Sequence, residues 1–350
     1  MAGILSELFV EVTDKCLFNC LHCSTLASQN GKHEIPFSEI KRLINEGVAL
    51  GLKCFSISGG EPFLYPDLVP LIRYVKKRNI FLSIYTCGVI LESSELIPLP
   101  DQLIKELKDD RIDRLIFSIH GLRDNHDYIT GTPGSFDLVL TSIKKAVAAG
   151  IHVELHFVPM KVNEQDVPQI IELANGIGVY HISFLRLVPQ GRCAQNRDLL
   201  LDKPSLEKVV AWKYIYEKKL PHMKIRLGAP FNCIHPTVPC SAGENKLLIS
   251  PNGEVFPCEA FKFLRGRQNT IYKSTLEDLW AKDDLLNQLR TLKHDEGIKD
   301  CYDCFRKDTC RGGCPGQHLL HYGHLKYGPD PLCNIEPGGQ EDVCFCRQEY

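Results

Sequence analysis

Residues 8–23 read Leu-Phe-Val-Glu-Val-Thr-Asp-Lys-Cys-Leu-Phe-Asn-Cys-Leu-His-Cys, a β-rich run that empties into a loop bearing Cys16, Cys20 and Cys23. The spacing is Cys-x3-Cys-x2-Cys, with no fourth cysteine until Cys54. A structural zinc wants four ligands in paired, finger-like spacings, which this loop lacks. Three thiolates suit a cubane iron–sulfur cluster, ordinarily held by four cysteines, and leave one iron open to a non-protein ligand. That open corner is the functional feature.

The pattern of the first run then recurs. Cys54–Ser58, Ile80–Tyr85, Leu115–Ile119, Ile151–Phe157 and His181–Leu187 are further β-rich runs. Helical spacings separate them: Ile40, Leu43, Ile44 and Val48 ahead of Gly51, then Leu68, Leu71, Ile72 and Val75, then a weaker stretch at Gln102–Lys108. Leu140, Ile143 and Val147 follow ahead of Gly150, and Val167, Ile170, Ile171 and Ala174 come last. Six strands alternating with helices predict an α/β fold around a parallel sheet. A partial (β/α)6, TIM-like barrel is preferred over an open doubly wound sheet, a choice the pattern alone does not make. In parallel barrels the chemistry sits on loops at the C-terminal strand ends. The cysteine loop, Gly59-Gly60-Glu61-Pro62, Thr86-Cys87-Gly88 and His120-Gly121 all fall there. Two glycines let a ligand approach the backbone, and a carboxylate beside them suits an ammonium group.

Composition narrows the classes. The chain has 350 residues, 44% hydrophobic and 24% charged, an ordinary globular balance. With 41 Lys and Arg against 43 Asp and Glu, it shows no general electrostatic footprint for nucleic acid, and none is expected as a partner. No apolar run approaches the ~18 residues of a membrane span. The first residues, Met-Ala-Gly-Ile-Leu-Ser-Glu-Leu, lack the regions of a signal peptide. A cytoplasmic protein without membrane contact is expected. Of its 16 cysteines, 11 fall in patterned groups that read as metal ligands rather than disulfides.

After Pro189 the alternation stops, giving expected units at 1–195 (barrel), 196–232 (helical bridge) and 233–350 (Cys-rich domain). Leu199–Leu220 reads as a helix whose Lys213, Lys218 and Lys219 form a solvated face. From Cys233 onward Cys, Gly and Pro dominate with little periodicity, so something inorganic should hold that segment together.

The N-terminal half resembles a radical S-adenosylmethionine (SAM) enzyme, on the strength of the three-cysteine loop, Gly-Gly-Glu-Pro and the six-unit barrel. The resemblance implies that Cys16, Cys20 and Cys23 bind a [4Fe–4S] cluster whose open iron chelates the amino and carboxylate groups of SAM. It places Gly59, Gly60, Glu61 and Pro62 at the methionyl ammonium, His22 near adenine and Ser118 at the ribose or carboxylate. Arg186 is a candidate for the SAM carboxylate or, equally, for a structural salt bridge. The family's chemistry is reductive cleavage of SAM to a 5′-deoxyadenosyl radical that takes a hydrogen atom from an unreactive C–H bond. A flavodoxin- or ferredoxin-type electron donor is implied.

Further along, Cys240-x12-Gly253-x4-Cys258 is followed by Cys301-x2-Cys304-x5-Cys310-x3-Cys314 and Cys333, with Cys233 upstream. Local spacing alone admits two zinc knuckles. The whole arrangement resembles the seven-cysteine SPASM extension, which carries two auxiliary [4Fe–4S] clusters. By that resemblance Cys233, Cys240, Cys258 and Cys314 ligate one, and Cys301, Cys304, Cys310 and Cys333 the other, for three clusters in all. Cys233 lies outside the seven, and without it the nearer auxiliary cluster would have an open iron. Cys54, Cys87, Cys193, Cys344 and Cys346 are left over. Cys54 reads as packing, Cys87, at a strand end close to the SAM loops, as packing ahead of a functional role, and Cys344 and Cys346 as thiols of a polar tail ahead of substitute ligands. Glu259, directly after Cys258, occupies the place of a catalytic aspartate in sulfatase-maturing members and is a candidate base, or else a surface residue.

Auxiliary clusters imply electrons returning to the protein after hydrogen abstraction. The family's substrates make oxidative modification or crosslinking of a ribosomally made peptide the leading expectation. Cys16 comes too early for a fused recognition domain, so a separate leader-peptide-binding protein, a short substrate motif or a small-molecule substrate is expected. The alternatives are a small-molecule oxidase or epimerase in antibiotic or cofactor biosynthesis, a sulfatase-maturing enzyme, and a non-catalytic iron–sulfur carrier. The open-iron loop would be superfluous in the last.

Overall fold

A computed structural model describes residues 3–228, 231, 240–292, 298, 301–325 and 328–333; Cys233, Cys344 and Cys346 lie outside them. The six expected strands form as β1 (Glu7–Thr13), β2 (Cys54–Gly59), β3 (Phe81–Thr86), β6 (Arg114–Ser118), β7 (Val153–Phe157) and β8 (His181–Phe184). Between β3 and β6 lies a hairpin, β4 (Val89–Glu92) and β5 (Glu95–Pro98). Beyond β8 come β9 (Lys224–Leu227), β10 (Lys246–Ile249) and β11 (Val255–Phe256). The main sheet runs β11-β10-β1-β2-β3-β6-β7-β8-β9 and is parallel except for the β10–β11 pair. Among the described residues its ends do not pair with one another, so the barrel is partial, the preferred of the two arrangements that the alternation left open.

The outer face of the strands packs on helices. α1 (Phe37–Ala49), α2 (Leu68–Lys76), α3 (Asp101–Asp109), α5 (Ser135–Ala148) and α6 (Val167–Gly176) follow the expected spacings. Leu43 and Ile44 of α1, Leu71 and Ile72 of α2, and Leu115, Phe117, Leu155 and Phe157 of the strands are fully buried in one core. Each such side chain contributes roughly 1.5–3 kcal/mol of apolar burial. α4 (Arg123–Thr130) went unread because Arg-Asp-Asn-His-Asp-Tyr-Ile-Thr carries no apolar stripe.

The segment 196–232 holds α7 (Lys203–Lys219), but also β9, which pairs parallel to β8 and continues the sheet. Lys213 does not lie on a solvated face: it is buried and ion-paired with Glu217 at 2.6 Å. Beyond residue 240, β10 pairs parallel to β1. α8 (Leu276–Lys282), α9 (Asp284–Thr291), α10 (Lys307–Cys310) and α11 (Pro315–Tyr322) follow. Among the described residues no helix is long and apolar enough to cross a membrane.

The inner face of the strands is polar at one end and aromatic toward the C-terminal segment. Glu154, fully buried, accepts from Arg114 Nη1 at 3.0 Å and Ser183 Oγ at 2.5 Å, and pairs with His156 and His181. Burial works to raise its carboxyl, but His156 and the other partners leave it far below the usual carboxylate range. Tyr85 lies between His156, edge-on to its ring, and Phe9, tilted against it, and Phe9 packs with Leu248, Phe256 and Phe261. The C-terminal segment thus shares its core with the barrel.

One buried ion pair fixes that docking. Lys262 Nζ lies 2.6 Å from Glu11 Oε1, each side chain is 3% exposed, and both touch Thr25 Oγ1. Lys262→Met leaves Glu11 charged and without its cation, with only the Thr25 hydroxyl still donating to it, and should cost about 3–5 kcal/mol in anaerobic urea unfolding. Adding Glu11→Gln should recover a large part of that loss.

Candidate active site and cluster sites

β1 ends in a register shift between Glu11 and Thr13, and the chain then swings out as the cysteine loop. The loop is fastened from several sides. Cys16 N donates to Ser28 O at 2.9 Å, and Cys23 N to Cys20 O at 3.1 Å. Asn19 and Leu21 donate backbone bonds to Thr130 and Ile129 at the end of α4. Arg192 donates to Cys20 O at 2.7 Å and to Ala27 O at 2.8 Å. Arg192 is a positioning residue that sequence reading missed; its only signal is its place just past the sixth strand.

The Gly-Gly-Glu-Pro turn packs against this loop. Gly60 N donates to Thr13 O at 2.6 Å, and Glu61 N to Lys15 O at 2.7 Å. A Cβ on Gly59, at φ +135°, would meet Thr13 O at 2.4 Å, and one on Gly60 would meet Lys15 O at 1.9 Å. The glycines are therefore required by the approach of two protein backbones, in addition to any ligand. The Glu61 carboxylate is turned inward, fully buried, accepting from Thr86 Oγ1 and Cys87 N at 2.7 Å each and from Phe63 N at 3.1 Å. It thereby ties the end of β2 to the end of β3. Pro62, also buried, begins the short 3-10 turn that follows.

Cys87 stands near Cys16, its Sγ donating to Val89 O at 3.9 Å; this neighbour draws the Cys16 thiol down, while burial and Cys16 push Cys87 well up. The structure thus brings a fourth thiol, read from sequence as packing, to the cysteine loop. Burial pushes the Cys20 thiol well up, and the neighbouring Cys16 and Cys23 add to this. Among the described residues no three Cys, His, Asp or Glu side chains stand near enough together to share a single metal ion, but Cys20 feels both Cys16 and Cys23, and three thiols on one loop are the donor set an iron–sulfur cluster takes.

Beside them stand three imidazoles. The His22 and His120 rings are 4.5 Å apart, and His120 stacks on His126 at 5.5 Å. Burial lowers His22 and His126 to about 4 and His120 further. His126 Nδ1 accepts the His120 backbone N–H at 3.1 Å. Ser118, half-buried at the end of β6, stands in register with His156 of β7. Of the two roles open to Arg186, the structure displays the ion pair: its guanidinium meets Asp330 at 2.8 Å, with both side chains buried.

In the C-terminal segment Cys301, Cys304, Cys310 and Cys333 line one cavity together with Gly312 and Asp330. Cys240, Cys258 and Cys314 form a second group: burial raises the Cys258 thiol, and the other two raise it further. Burial pushes Cys310 and Cys314 up to about 12. Cys233 lies outside the described residues. Glu259 is ion-paired with Lys246 Nζ at 3.0 Å, beside Tyr85. Burial raises its carboxyl, but the Lys246 ammonium outweighs that and leaves it below its ordinary value. Cys193 is buried in a small apolar cluster, and Cys54 opens β2.

The radical SAM superfamily model matches residues 10–174, and the model of the SPASM iron–sulfur cluster-binding domain matches residues 240–305. The AdoMet-dependent heme synthase of Methanosarcina barkeri is 26% identical over 94% of this chain and 96% of that protein. The PqqA peptide cyclase of Granulibacter bethesdensis is 26% identical over 94% of this chain and 87% of that protein. The structure of Streptococcus suis SuiB bound to precursor peptide SuiA matches with a TM-score of 0.77 at 18% identity, over 96% of this chain and 77% of that chain, a likeness of fold. Residues 10–174 thus match a radical SAM domain and residues 240–305 a SPASM domain, a pairing that supports a radical SAM enzyme whose cofactors are SAM and iron–sulfur clusters.

The buried His126 makes stability pH-dependent. With an unfolded value near 6.5 and a folded one of about 4, the unfolded chain binds the extra proton on acidification. Stability is full above about pH 6.5 and falls toward pH 4; between pH 7 and pH 5 this residue accounts for about 2 kcal/mol. His126→Gln, which keeps an acceptor for His120 N–H, should flatten the decline by that amount in urea unfolding.

Proposed function

We propose that the protein holds three [4Fe–4S] clusters, one at Cys16, Cys20 and Cys23 and two at the C-terminal cysteine groups, and oxidatively modifies or crosslinks a ribosomally made peptide. When bound at the first site, SAM and its cluster supply the 5′-deoxyadenosyl radical that takes the substrate hydrogen. The observation that carries the oxidative half is Glu259. It follows Cys258 in the chain, and its carboxylate is ion-paired with Lys246, whose ammonium lies over the Phe9 ring. A carboxylate there can take a proton from the substrate radical while the neighbouring cysteine site takes the electron. The Lys246 ion pair keeps it ionised at neutral pH, the state a general base needs, while lowering its basicity.

The Glu61 carboxylate is occupied by Thr86 and Cys87, so the turn's backbone, rather than that side chain, is what remains to meet the SAM ammonium. Gly59, Gly60, His22 and Ser118 keep their proposed places around SAM. The peptide half rests on the relatives: a PqqA peptide cyclase at 26% identity and SuiB, solved with its precursor peptide. A flavodoxin- or ferredoxin-type donor, a separate leader-binding protein and a cytoplasmic setting complete the reading. A tetrapyrrole substrate is the second reading, favoured by the heme synthase that matches over 96% of its own length.

Anaerobically reconstituted enzyme with SAM and dithionite should yield 5′-deoxyadenosine, and Cys20→Ala should abolish it. Offered short precursor peptides from neighbouring genes, the enzyme should give a product lighter by a pair of hydrogens in mass spectra. Turnover of an iron porphyrin with no peptide product would overturn the peptide reading. Glu259→Gln should cut modified product about 10²–10⁴-fold while 5′-deoxyadenosine continues to form.

A further inference from the structure

Asp330 stands between the two C-terminal cysteine groups. Its Oδ1 accepts from Arg186 Nη1 at 2.8 Å and from Leu332 N at 3.0 Å. Its Oδ2 accepts from Cys314 N and from the same Arg186 nitrogen, each at 2.9 Å. Its backbone oxygen accepts from Cys333 N at 2.7 Å. The residue also lines the cavity formed by Cys301, Cys304, Cys310 and Cys333. Gly313, at φ +83°, permits this approach, since a Cβ there would lie 2.4 Å from Asp330 Oδ2. One carboxylate therefore bonds the backbone of a cysteine from one group and shapes the turn that presents a cysteine of the other. Its cation, Arg186, extends from the end of β8.

We propose that Arg186 and Asp330 are positioning residues that tune the reduction potentials of the two auxiliary clusters as one unit. The inference rests on the cluster assignment made above. Electrostatics gives it a sign. A cluster held by thiolates is anionic, and reduction adds a further negative charge. In a buried site a nearby cation favours the reduced form and a nearby anion opposes it. The side chains of Arg186 and Asp330 are 3% and 1% exposed, so solvent screens neither strongly. Hydrogen bonds and charges next to cluster ligands are among the levers that set such potentials. The paired charges largely offset one another, and removing either member uncovers the other.

The test uses the full chain carrying Cys16→Ala, Cys20→Ala and Cys23→Ala, which leaves only the auxiliary signals, in anaerobic redox titrations followed by EPR. Arg186→Met should shift the midpoint potentials downward. Asp330→Asn, which keeps the shape and an oxygen acceptor, should shift them upward. The double variant should return toward the parent, and Arg186→Lys should stay close to it. A pair that served only as a structural clasp would move both single variants the same way or leave potentials unchanged with iron retained; either result overturns the proposal. If both single variants lose iron, Arg186→Lys decides: iron and potential retained support the proposal, and their loss overturns it. The cluster assignment fails on a different readout, the iron content of the parent chain, where a value short of about eight per chain for two cubanes overturns that assignment and this inference together.

Discussion

The 2.6 Å hydrogen bond from Gly60 N–H to Thr13 C=O, with its neighbour from Glu61 N–H to Lys15 C=O, holds the cysteine loop against the end of the second strand. Neither bond can form unless residues 59 and 60 lack a Cβ. The same turn sends the Glu61 carboxylate inward to Thr86 and Cys87, so the ends of β1, β2 and β3 are locked by one buried acid. An unpaired buried carboxylate would be costly, and three donors offset part of that cost while fixing its orientation, burial still raising the Glu61 carboxyl. The position of Cys16 is a consequence of this lock. Cys87, carried by the residue pair that satisfies Glu61, arrives beside it.

A second set of buried polar contacts joins the two halves of the chain. Lys262 to Glu11 anchors the C-terminal segment beside β1, and Arg186 to Asp330 anchors it beside β8. Such pairs add little net stability over apolar packing, because each ion must leave water. What they supply is orientation, since a mispaired docking would strand a charge. That matters for a segment whose own apolar cluster is small and borrows Phe9 from the barrel.

The six-unit barrel was legible because Val, Ile and Leu alternate or recur at helical spacing across β1 to α6, and the cysteine groups were legible because their spacing is discrete. The β4–β5 hairpin was not. Its turn is Ser93-Ser94, both at positive φ, where Asn-Gly would have been the usual signal. β9 and β10 span four residues each, too few to display a period, and their partners lie far off in sequence. Arg186 was read with two roles because a buried arginine at a strand end serves either; only the tertiary approach of Asp330 separates them. Lys213 looked solvated because helix α7 has no strong apolar face, while the fold buries it beside Glu217. Charge pairing between distant segments leaves no local trace.

The open sheet gives these contacts a further meaning. β9 and β11 remain edges, so the barrel has a gap that its own strands do not close. One end of the interior is plugged by Glu154 with Arg114, His156, His181 and Ser183. The C-terminal segment reaches from β1, through Lys262, to the end of β8, through Asp330, and so spans strands that lie just inside those edges. It does the work of missing barrel strands while carrying its own cysteine groups to the rim. A closed eight-unit barrel would fill its interior with side chains and keep any metal segment outside. Stopping at six units and bridging the remainder brings Glu259 and Cys258 to the inner face, where a carboxylate and a thiol site adjoin the space bounded by Tyr85 and Phe9.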